Sequence, residues 1–280
     1  MNNVLKRLLI AFAVGGVSGL LGQIFMSIEL LFLDPSSNFI APITLFGIGF
    51  VGCILCSLGI YQKLEKVAGF SACMPFSGLS AACGGIFFGM KMEGAPTGAC
   101  IKACLKLVLR VLGIGSLVAI ALSFICYQIH PDPAWFAAGT GSAAGAQVGP
   151  IKYLTAFVLG GLVCVFFEIV FMAGKGKITI PVLLLSGIIL GALMAGLHLT
   201  QPLIDWGGAG LVTMILDAGE AVFSTFSAIW YFHAYTAPVA VLVVYCLVPT
   251  FGVIGGAIHL WDVKRKIAAG KMEPPQPQEH

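Results

Sequence analysis

Asp217 and Glu220 stand three residues apart in an otherwise apolar stretch. On a helix that spacing puts both carboxylates on one face. A charged group inside a bilayer costs about 2.5–3.5 kcal/mol on insertion scales, so an acid kept there suits cation or proton handling. Glu168 is a third acid within a long apolar run. Ser77 and Gly78 follow Pro75, where small hydroxyls and free backbone groups can meet an ion without a full charge. Lys102, Lys106 and Arg110 are four residues apart and form one basic stripe. The stripe suits a face on the anionic inner leaflet, or an electropositive vestibule for an anionic solute. Asp205 reads as a cap or turn residue and Glu29 as an outer-interface residue. His198 and His233 are isolated and read as hydrogen-bonded packing residues.

Other kinds of chemistry lack their residues. The chain has no Walker A motif, no His-Glu-x-x-His and no Gly-x-Ser-x-Gly. Cys53-x-x-Cys56 has metal-like spacing but no second pair, so no metal and no cofactor are expected. The nine cysteines lie mostly in apolar stretches and read as small packing residues in a compartment that keeps thiols reduced. An enzyme is not expected.

The elements that position these residues follow from composition. Of 280 residues, 59% are hydrophobic and 10% charged, and mean hydropathy is +1.00. A soluble domain carries about 25% charged residues, so there is too little polar surface here to face water. The long continuous apolar runs predict an all-α polytopic membrane protein, not a barrel of alternating strands. A net charge of +3 gives no reason to expect nucleic acid. The implied partners are the lipid bilayer and other membrane subunits or further copies of the chain. Close helix contacts are signalled by Gly15-x-x-x-Gly19, Gly187-x-x-x-Gly191 and Gly252-x-x-x-Gly256.

The chain also repeats itself. Ala11-Phe-Ala-Val-Gly15-Gly16 recurs as Ala156-Phe-Val-Leu-Gly160-Gly161, and the same offset sets Gln23 opposite Glu168. After a loop the offset shortens. Gly52 then meets Gly191, Gln62 meets Gln201, Gly69 meets Gly208, Pro75 meets Met214 and Gly78 meets Asp217. The register defines a first repeat at 1–127, a linker at 128–150, a second repeat at 151–262 and a polar disordered tail at 263–280. Each repeat is read as a long helix (6–32 and 151–173), a second (42–61 and 180–199), a small-residue segment (67–90 and 206–228) and a last helix (107–127 and 238–261).

Basic residues arbitrate the small-residue segment, because cytoplasmic loops collect Lys and Arg. If it crosses in both repeats, Lys91, Lys102, Lys106, Arg110, Lys175 and Lys177 fall outside. If it dips in and returns, only Lys152 does. The second arrangement makes two inverted repeats of three transmembrane helices, each with a re-entrant or broken segment, and both termini cytoplasmic. Inverted repeats with paired broken segments build many transport proteins, with their sites where the segments meet.

The stretch Gly69-Phe-Ser-Ala-Cys-Met-Pro75-Phe-Ser-Gly78-Leu-Ser-Ala-Ala, with Gly84-Gly85, Gly89 and Lys91-Met-Glu93-Gly94, resembles the stage V sporulation proteins AC and AE (SpoVAC/SpoVAEb). Val14-Gly15-Gly16 to Gly22-Gln23 is similar to the start of that family. At about twice the family's length, the chain looks like a tandem fusion. The resemblance implies a channel or transporter associated with dipicolinic acid and calcium, at the cell membrane and specifically the inner spore membrane. It adds Glu93, in the acidic segment ending in glycine, to a solute path of Gln23, Pro75, Ser77, Gly78, Glu168, Asp217 and Glu220. The expected function is passage of a small solute, an organic anion such as dipicolinate. The alternatives are an ion- or proton-coupled carrier of another solute and a non-conducting scaffold of a membrane complex.

Overall fold

The structure is a computed structural model, and it describes residues 3–34, 39–139 and 149–271. Among these the chain is all-helical. Five helices are long and apolar enough to cross a membrane, and six if a bent pair counts as one. Their outward faces are apolar, with Leu117, Leu242, Leu9 and Phe166 all exposed, as suits a protein whose solvent is lipid.

The first half opens with α1 (Asn3–Glu29) and α2 (Ile40–Ser57). A short α3 (Ile60–Ala68), a 3-10 turn (Gly69–Cys73) and α4 (Phe76–Met92) follow. Then α5 (Thr97–Val108) runs through a π-turn at Leu109–Gly113 into α6 (Ile114–Ile129). The linker forms α7 (Pro133–Gly139), and the rest of it, 140–148, lies outside the described residues. The second half has α8 (Pro150–Ala173), α9 (Ile180–Gly196), α10 (Thr200–Gly207), α11 (Ala209–Val212), α12 (Ile215–Phe232) and α13 (Pro238–Ala268). Proline opens α8 and α13 and falls in the first turn of α9, where its missing N–H costs nothing.

Some boundaries differ from the sequence expectation. The second helices stop at Ser57 and Gly196, not 61 and 199, because Gly59 and His198 take left-handed conformations that turn the chain. After the second of these turns α9 and α10 meet at a bend of 100°. The fourth helix of the first half begins at Thr97, so the basic stripe belongs to a continuous span of 33 residues and not to a separate surface helix. The last helix runs to Ala268, into the stretch read as a tail, and 272–280 lie outside the described residues.

α1 and α8 pack antiparallel and tightly. Gly15 faces Gly160, and a Cβ on either would strike the other's carbonyl oxygen. Phe12 and Phe157 close the contact edge to face at 5.6 Å between centroids. The remaining helices fall into two groups around this pair. In one, α2, α4 and α13 run the same way, as the contacts Gly52–Ser77, Cys56–Gly84, Gly84–Gly256 and Cys53–Gly255 advance together. In the other, α6, α9 and α12 run together, through Gly115–Ile188, Gly187–Ile215, Gly196–Phe223 and Phe124–Trp230. α5 is antiparallel to α4, with the Cys104 thiol donating to the Cys83 carbonyl at 3.3 Å and Ala95 N–H to Met90 O at 2.9 Å. The two groups therefore run in opposite directions. Each half's last helix packs in the other half's group.

These directions settle the path of the broken segments within the bundle. The chain leaves α2 through α3, reaches mid-bundle at Met74–Pro75, and returns along α4 to the end where α2 finished. The chain leaving α9 does the same from the opposite end, returning along α12.

Candidate functional site

The two broken segments meet at one point. Phe76 N–H donates to Thr213 O at 3.1 Å, and Ile215 N–H donates to Met74 O at 3.0 Å. This is an antiparallel bridge between Pro75 and Met214, the two positions that the internal register equates. The donors and acceptors are equated in the same way, 76 with 215 and 74 with 213. A few residues of backbone at this depth are unwound, and pairing with each other satisfies them away from lipid.

The local sequence explains the break. Gly69 has φ 60° and ψ −134°, and Gly208 has φ 51° and ψ −135°, a conformation that side chains disfavour. One short turn follows in each half, and then an extended residue: Pro75 at ψ 155° and Met214 at ψ 157°. Proline and methionine thus hold the same shape. Helices α4 and α12 start immediately after, so two helix N-termini converge on the bridge from opposite directions.

Gln23 and Glu168 attach the long helices to these turns. The wholly buried Gln23 accepts a hydrogen bond from Ala209 N–H at 3.0 Å, through its side-chain Oε1. Glu168, also wholly buried, lies beside Ser71 of the first broken segment and pairs with Arg7 Nε at 2.7 Å. Each long helix therefore holds the broken segment of the other half. Arg7 was not among the expected site residues. It also lies 5.8 Å from the Phe171 ring. Its signal was available in the repeat, because the offset that equates Gln23 with Glu168 also equates Arg7 with Lys152, which donates to the Asp205 carbonyl.

The other expected residues divide. Pro75, Ser77, Gly78 and Asp217 gather at the bridge, and Asp217 is buried in the first turn of α12. Its N–H donates to Met214 O at 3.0 Å. Glu220 lies one turn further on, half-buried, and accepts from the Ser224 hydroxyl at 2.8 Å. Tyr245 closes over this turn, donating to Ala218 O at 3.2 Å. Glu93 is exposed at the far end of α4, away from the bridge. Lys102, Lys106 and Arg110 are exposed on the outer face of α5 and the π-turn.

Unsatisfied hydroxyls also lie in this part of the bundle. The hydroxyls of Ser18, Ser80 and Thr213 are buried without a hydrogen-bond partner in the chain. Buried polar atoms are nearly always paired, so the orphans of Thr213, next to Met214, and Ser18, in one cleft with Pro75, mark a place for water or a polar solute.

No curated protein and no solved structure matches the chain. A family model described as SpoVAC/SpoVAEB sporulation membrane protein matches residues 7–127 and again 152–230. One match falls in each half, consistent with tandem duplication. Together they cover most of the chain, which belongs to the SpoVAC/SpoVAEB sporulation membrane protein family.

Proposed function

We propose that this chain is a conduit for a small organic anion, dipicolinate moving with calcium, across the inner membrane of the spore. In this reading the two halves are inverted repeats, both termini are cytoplasmic, and the solute passes where the broken segments meet. The observation that carries the proposal is the bridge at Pro75 and Met214 with the orphan hydroxyls of Ser18 and Thr213 beside it. The converging N-termini of α4 and α12 favour negative charge at that point. Asp217 and Glu220 are placed to pair with the accompanying cation. The buried position of Asp217 also favours a second reading, an ion- or proton-coupled carrier.

The test is solute release from vesicles reconstituted with the full chain, comparing dipicolinate with inorganic ions. Release of dipicolinate above protein-free vesicles is expected, and Asp217→Ala with Glu220→Ala should change its rate several-fold. A scaffold would assemble with its partners and show no flux in either form. Orientation is tested by thiol labelling in whole cells. A cysteine introduced at Lys91 should react from the same side as one at Lys271, and the opposite result would remove the proposed path.

A further inference from the structure

A cleft of about 240 Å³ opens between α1 and α2 in the first half. Its walls are aliphatic, from Val14, Val17, Leu21, Val51 and Leu55, and its deep end reaches Pro75 and Ser77 at the bridge. No charged side chain lines it. Ala13 and Val17 at its mouth are exposed, so it opens toward whatever surrounds the apolar outer face, which in a membrane is lipid. Two polar groups besides Ser77 contribute to it. The Tyr61 hydroxyl is already engaged with the Ala72 carbonyl. Ser18 is only 7% exposed and its hydroxyl has no partner in the chain.

The second half differs at several of the equivalent positions. At the equivalent positions Ser18 becomes Val163, Leu21 becomes Phe166, Leu55 becomes Met194 and Ser77 becomes Leu216. Leu216 belongs to the central apolar core, and Val163 and Met194 pack against it. Two other lining positions, Ile48 and Tyr61, become the smaller Gly187 and Thr200.

We propose that this cleft binds an uncharged amphiphile of alkanol-like chemistry, taken sideways from the bilayer. Its apolar body would lie against Val14, Val17, Leu21 and Leu55, and its oxygen would bond the Ser18 hydroxyl. The volume has room for about eight water-sized groups, enough for a chain of roughly that many non-hydrogen atoms. The absence of charge in the lining excludes an ionised headgroup, which would be buried without a partner. This site does not depend on the conduit reading.

The probe is octanol carrying a photoreactive diazirine, used on the full chain in phospholipid vesicles, with adducts mapped by mass spectrometry. Saturable adducts within 13–21 and 48–64, competed by plain octanol, are expected. Ser18→Val should weaken competition about fivefold, the size of one lost hydrogen bond. Ala13→Trp, at the exposed mouth, should abolish the adducts without touching the core. Non-saturating adducts spread over outward residues such as Leu117 and Leu242 would overturn the proposal. So would parental labelling in both variants when their gel-filtration profiles are unchanged. Flux reads dipicolinate and labelling reads adduct position, so either reading can fail alone.

Discussion

Glu168 and Gln23 hold equivalent turns by different means. Gln23 is neutral and accepts a hydrogen bond from Ala209 N–H. Glu168 brings a charge into the bundle, and Arg7, with a side chain 40% exposed, answers it from the surface. Removing the arginine strands a buried carboxylate, which costs about 3–5 kcal/mol, whereas replacing both partners by apolar residues is often neutral. Arg7→Met should therefore lower the thermal unfolding midpoint in detergent more than Glu168→Met does. The double variant should recover most of the loss in a double-mutant cycle. Gln23→Ala should cost about 1–3 kcal/mol by leaving the Ala209 amide unpaired.

Within the broken segments, the shared shape at Pro75 and Met214 conceals unequal bonding. Met214 N–H donates to Leu211 O at 2.9 Å, a bond that proline at the equivalent position cannot make. Pro75→Met should thus be nearly neutral, within about 1 kcal/mol. Met214→Pro loses that bond and must shift φ from −93°, so it should destabilise by about 1–3 kcal/mol by thermal unfolding. The pairing of these two residues was legible in the sequence, since the register that equates Gly69 with Gly208 also equates Pro75 with Met214. The breaks that set off α3 and α10 were not, because the expected second helices ran past Gly59 and His198, and it is the left-handed backbone there that turns the chain. Lys102, Lys106 and Arg110 sit on the exposed side of the span Thr97–Ile129, whose start at Thr97 lies ten residues before the one expected from the sequence. Arg7 was legible only through the repeat, which equates it with Lys152; nothing local ties it to Glu168 in the other half.

Across the whole molecule, the exchange of last helices decides stability. α6 contributes Gly115 and Phe124 to contacts with the second half, and α13 contributes Gly252 and Gly255 to contacts with the first. Neither half can bury its second helix and broken segment alone. Residues 1–139 or 149–280 expressed singly should be degraded or aggregate in the membrane. The two expressed together should assemble a stable complex, read by co-purification and protease resistance. The general helical plan followed from composition and the two halves from the register, but this interlocking could not be read from either.

The bridge between Pro75 and Met214 joins two residues that a symmetric pair of separate chains would have to keep identical. In one fused polypeptide that obligation is gone. Each copy is free to mutate on its own while the joint between them persists, so Pro can face Met, Gly can face Asp, and Ser18 can stay small while Val163 grows. The two flanks of the joint therefore differ in size and polarity although the backbone at the joint is the same.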